Sequence, residues 1–75
     1  MPVRWTPERL DQLERAARDG RRVALSRRGS EYIVQARRIE SDSRGDTLVG
    51  RLPMTGEEMR FFLGDVDHFQ IVGEK

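Results

Sequence analysis

Apolar positions along this chain change their spacing once, near Gly20. Before it, Leu10, Leu13 and Ala17 recur every three or four residues with Ala16 beside them, the pattern of one helix face. Thr6 suits an N-cap and Pro7 the first helical position. Trp5 and Leu10 have the spacing of a hydrophobic staple. Asp11 with Arg15, and Glu14 with Arg18, are acid-before-base pairs four apart. Gly20 stands where a left-handed residue ends a helix. The segment predicts a helix over about 6–19. Its narrow apolar stripe predicts a helix that caps a sheet without forming its core.

After Gly20 the period is two, and strands are predicted over about 21–72. Val23 and Leu25 share one face, with Arg22, Ala24 and Ser26 opposite. Gly29 supplies a turn. Tyr32, Val34 and Ala36 then alternate inward, and Ile39 breaks the register by one residue. A bulge or bend at Arg37-Arg38 restores Ile39 to the core side. "SDSRGD" reads as a polar loop. Leu48, Gly50 and Leu52 share a face of the third strand, where Gly50 allows close approach of a neighbour or a second bend. Met59, Phe61 and Leu63 point inward from the fourth strand, and Phe69 and Ile71 from the fifth.

One helix before five short strands predicts a mainly β chain forming a single domain over residues 1–75. The expected architecture is a closed or nearly closed five-stranded antiparallel barrel, SH3-like or Sm-like. Val23, Leu25, Tyr32, Val34, Leu48, Leu52, Phe61, Leu63, Phe69 and Ile71 are its predicted interior. Ile33, Val49, Phe62 and Val72 fall on the opposite parity and are expected outside.

The run "LERAARDGRRVALSRRGSEYIVQARRI", then "DTLVGR" and "MRFFLGDVDHFQIV", resembles the WYL domain of bacterial regulators over about Leu10 to Val72. The likeness lies in the hydrophobic skeleton. Thr47-Leu48-Val49 stands where that family has its W-Y-L triplet, and Leu63-Gly64-Asp65-Val66 where it has L-D-R-I. Arg60 is one place from the family's fourth-strand arginine. The resemblance implies an Sm-like barrel in a regulatory, transcription-related setting. Small Sm-like Rho-inhibitor proteins share the layout, which adds the prospect of an inhibitor acting on a nucleic-acid-processing protein.

Charge narrows the function classes. Charged residues make up 36% of the chain, yet the net charge is only +1, which argues against a polybasic tail. Thirteen of the fourteen basic residues are arginine, whose flat fork suits phosphate and carboxylate. There is no cysteine and one histidine, so no disulfide, thiolate metal site or His-based zinc site is expected, and no cofactor. No apolar run has the length of a membrane span and no signal-peptide layout is visible, so the expectation is a soluble cytoplasmic protein. His68 has an acidic neighbour but no nucleophile partner, and the serines sit in strand or turn contexts. No enzyme is expected.

Two binding readings remain. Arg27, Arg28, Arg37, Arg38, Arg51 and Arg60, with Phe62 as a stacking platform, form a candidate face for single-stranded RNA or DNA or a nucleotide-type ligand. The same arginines also fit an ordinary solvated exterior, neutralised by Glu31, Glu57 and Glu58 across strands. Alternatively, Ile33, Val49, Phe62 and Val72 mark a surface for a protein partner or for self-association. Clustered, unpaired arginines favour nucleic acid, and dispersed, paired ones favour an interaction module.

Overall fold

The computed structural model describes residues 4–73. Helix α1 spans Pro7–Asp19. It opens at Thr6, whose hydroxyl accepts from the Arg9 amide at 3.2 Å, and closes at Gly20 with φ of 69°. Five strands follow: β1 (Arg22–Arg27), β2 (Ser30–Asp42), β3 (Gly45–Arg51), β4 (Glu58–Phe62) and β5 (Val66–Gly73). A 3-10 turn, Leu63–Asp65, links β4 to β5. The chain is mainly β, as its alternation predicts.

All five strands lie in one sheet of order β4-β3-β2-β1-β5, and every pairing is antiparallel. Of the closed and nearly closed forms expected, the fully closed one is corrected: no ladder joins β4 to β5 among the described residues, so the sheet has two edges. It nevertheless curls strongly. Three strand spacings would separate β1 from β4 by roughly 14 Å in a flat sheet. Yet the Arg27 side chain at the end of β1 reaches the carbonyl oxygen of Arg60 in β4 at 3.4 Å. The Tyr32 ring of β2 also meets the Phe61 ring of β4, with centroids 5.2 Å apart.

The bend has its cause in β2. The β2–β3 register slips between Ala36 and Arg38, so Arg37 is the extra residue of a bulge. That slip puts Ile39 opposite Leu48 and against the core. Across the sheet, a methyl group at Gly50 would lie 2.7 Å from Val34 Cγ2, so only glycine permits this approach of β3 to β2. The predicted "SDSRGD" loop is mostly strand. β2 continues to Asp42 and β3 begins at Gly45, leaving a tight turn in which the Asp42 carboxylate accepts from the Arg44 amide at 2.8 Å.

Of the predicted interior, Val23, Leu25, Val34, Leu48, Phe61 and Leu63 are buried. Tyr32, Leu52, Phe69 and Ile71 are partly buried against them. The helix does more than cap. Leu13, Ala16 and Ala17 are themselves buried in the same cluster. Small side chains at Ala16 and Ala17 let the helix axis approach the sheet, which a stripe of larger residues would prevent. Trp5 anchors the segment before the helix. Its ring stacks on Phe69 at 4.9 Å and its indole N–H donates to the Leu63 carbonyl at 2.8 Å.

Candidate functional site

Four of the six arginines of the predicted face fall into three adjoining environments. Arg27 is built into the molecule. Its guanidinium lies 5.1 Å from the Phe61 ring and 5.3 Å from the Tyr32 ring, and it donates to the Tyr32 hydroxyl at 3.4 Å. It lies across the mouth between β1 and β4.

Arg28 occupies the β1–β2 turn with φ of 53°, an uncommon conformation for a residue with a Cβ. Two aspartates hold it there. The backbone amide donates to Asp67 Oδ2 at 3.0 Å, and the guanidinium meets Asp65 Oδ2 at 3.3 Å.

Arg38 and Arg60 form the third environment, on the outer face. Glu40 accepts from Arg38 Nε at 2.8 Å and from Arg60 Nη1. Glu58 lies 3.8 Å from Arg38. Hydrogen bonds from Arg38 and then Arg60 hold the Glu40 carboxyl below its usual value, while the bond to Glu40 raises the Arg38 guanidinium. The network covers Val49. That residue stands opposite Arg38 on one side and Arg60 on the other, and its exposure is 0%. The expectation of an exposed Val49 is therefore corrected: the aliphatic stems of two flanking arginines, held by a shared carboxylate, shield it from water.

Arg37 and Arg51 have no ion-pair partner among the described residues. Arg51 shares a row across the outer face with Gln35 and Arg22. Arg37 stands on the bulge, beside Arg18 of α1 in a shallow depression. Phe62 is 37% exposed, and its ring lies against Gly45 and Gly64, where added methyl groups would come within 3.2 and 2.5 Å of it. It shares an open depression with Arg44, Arg60 and Arg27, flanked by Asp42 and Asp65. Six arginines thus do not form one positive surface. The acids that meet the guanidiniums are Glu40 and Asp65, not Glu31, and Glu58 sits by Arg38 although its strand neighbour is Arg51. Glu40 was legible as a partner, since it follows Arg38 by two residues on the same strand face.

Ile33 and Val72 remain exposed at 55% and 45%. Both lie toward the β5 side of the outer face, where Ala24 pairs with Ile33 on one side and Gln70 on the other.

The two sheet edges differ. On β4 the edge carries Glu58 and Arg60, and the Arg27 guanidinium caps the Arg60 carbonyl. Charges and caps of this kind discourage strand addition. On β5 the run His68–Val72 contains no Asp, Glu, Lys or Arg. Its backbone pairs with β1 alone among the described residues. An open groove of about 680 Å³ runs between this strand and α1, floored by Ala16, Phe69 and Ile71. Among the described residues no helix is long and apolar enough to cross a membrane.

No protein-family model matches this chain, and no curated protein matches it.

Proposed function

We propose that the domain is a non-enzymatic protein-binding module, which takes an extended segment of its partner as an added strand on β5. The contrast between the edges carries this reading: β4 is charged and capped, and β5 presents a run of uncharged residues with one side unpaired. The arginine pairing supports it, because Arg28, Arg38 and Arg60 already have carboxylate partners. Exposed Ile33 and Val72 add apolar surface on the β5 side. The Sm-like, WYL-like layout and a cytoplasmic regulatory role, including action as a small inhibitor of a nucleic-acid-processing protein, belong to the same proposal and rest on the sequence resemblance.

A second reading, a site for single-stranded nucleic acid or a nucleotide-type ligand, has one observation in its favour. Exposed Phe62 shares a depression with Arg27, Arg44 and Arg60, an aromatic face beside cations.

One paired experiment separates the two. A library of random displayed peptides is selected on the immobilised full chain, and a labelled oligouridylate is titrated at several salt concentrations. The first reading expects enrichment of peptides with alternating apolar residues and little oligonucleotide affinity at moderate salt. Oligonucleotide binding with a log–log salt slope near −0.7 per phosphate contact, weakened by Phe62→Ala and accompanied by no enriched peptide, reverses the order.

A further inference from the structure

We infer that the segment docking on β5 is acidic: an extended peptide whose carboxylates reach the arginines lining the groove between α1 and β5, with apolar side chains beside them. The inference rests on the protein-binding reading and adds the partner's chemistry.

The groove's walls differ in kind from its floor. Arg9 and Arg15 of α1 line it, with Arg21 at the junction to β1, against one acid, Asp19. Arg9 has no acidic partner among the described residues; its guanidinium donates to the Arg4 carbonyl at 2.9 Å. Arg15 meets Asp11 at 3.1 Å and Arg21 meets Asp19 at 3.8 Å, both as well-exposed pairs. Such pairs contribute little, so an incoming carboxylate can share or replace them at low cost. Two-pronged carboxylate recognition is what the guanidinium fork does best.

Strand geometry supplies the rest. Side chains of an added strand alternate between two faces. Those facing inward meet Phe69 and Ile71, which are only partly buried and leave apolar surface to cover. Backbone groups of the added strand pair with the free side of His68–Val72. The flanking arginines then steer an acidic segment and penalise a basic one.

A second copy of this chain is a poorer occupant. The other edge it could offer is β4, where Arg27 caps the Arg60 carbonyl. Two β5 edges placed together would bring the arginines of both grooves close to one another.

The test uses the full chain and two synthetic peptides, one alternating glutamate with valine and one alternating lysine with valine. The expected result is tighter binding of the glutamate peptide at low salt, by about tenfold or more, with slowed amide exchange across His68–Val72. N-methylation of alternate peptide nitrogens in the pairing register abolishes that protection. Arg9→Glu with Arg15→Glu, both at exposed helix positions, weakens the glutamate peptide by about tenfold and relieves the lysine peptide. Circular dichroism confirms that this variant is folded. Equal affinity for the two peptides overturns the inference, as does protection that appears on β4. Sedimentation showing β5 occupied by a second copy overturns it too. If library selection yields strand-forming peptides while the glutamate peptide leaves β5 unprotected, the protein-binding reading stands and the acidic partner falls. If neither binds, both fall.

Discussion

Arg27 and Arg60 are separated by β2 and β3 in the sheet, yet the guanidinium of the first donates to the carbonyl of the second at 3.4 Å. The contact records how far the sheet has curled. It also leaves β4 with a guarded edge, while β5 has no such cap.

Arg27→Ala removes that cap and the contacts with Tyr32 and Phe61 together. The expected loss of stability is about 1–2 kcal/mol. Arg27→Lys recovers only part of it, because a compact ammonium lacks the fork of donors that can meet a hydroxyl and a carbonyl beside two rings. Urea denaturation measures the loss. Sedimentation velocity should show more self-association in the alanine variant than in the wild type, since the Arg60 carbonyl is then open to pairing.

Glu40 makes a pH-dependent contribution with a definite sign. Its carboxyl is held below the ordinary value of 4.5 by hydrogen bonds from Arg38 and Arg60. A lowered folded-state pKa means that the contribution is full above the unfolded value and is lost as pH falls through the folded one. Acid titration of the wild type from neutral pH to about pH 3 should therefore include a stability loss that Glu40→Gln lacks. High salt should shrink the difference, because the network is exposed to solvent. Equal acid slopes in the two proteins would show that Glu40 does not hold the network together.

Gly50 is a steric requirement. Gly50→Ala places a methyl group 2.7 Å from Val34 Cγ2, with Val34 fully buried. Overpacking of this kind costs about 1–3 kcal/mol. Val34→Ala in the same chain makes room for the methyl group, so the double variant should be more stable than the sum of the single effects implies. A double-mutant cycle by thermal or urea denaturation reads that coupling.

The helix, the strand faces and the bulge were all legible in the sequence, because each is written in local spacing. Thr6, Pro7 and Gly20 mark the helix ends, and the three-residue step from Ala36 to Ile39 marks the slip at Arg37. Those signals need only neighbours along the chain, where the periods of helix and strand act directly. What alternation could not decide was the fate of a side chain once distant strands came together. Val49 has outward parity and is sealed, because Arg38 and Arg60 arrive on either side of it from β2 and β4. Arg27 has the composition of a binding residue and becomes a plug, because curling brings Phe61 and Arg60 to it. The unguarded edge at β5 likewise depends on which strands end the sheet and on where α1 lies beside them. Pairing, coverage and edge exposure are contacts between segments far apart in sequence, and only the folded sheet determines which of them form.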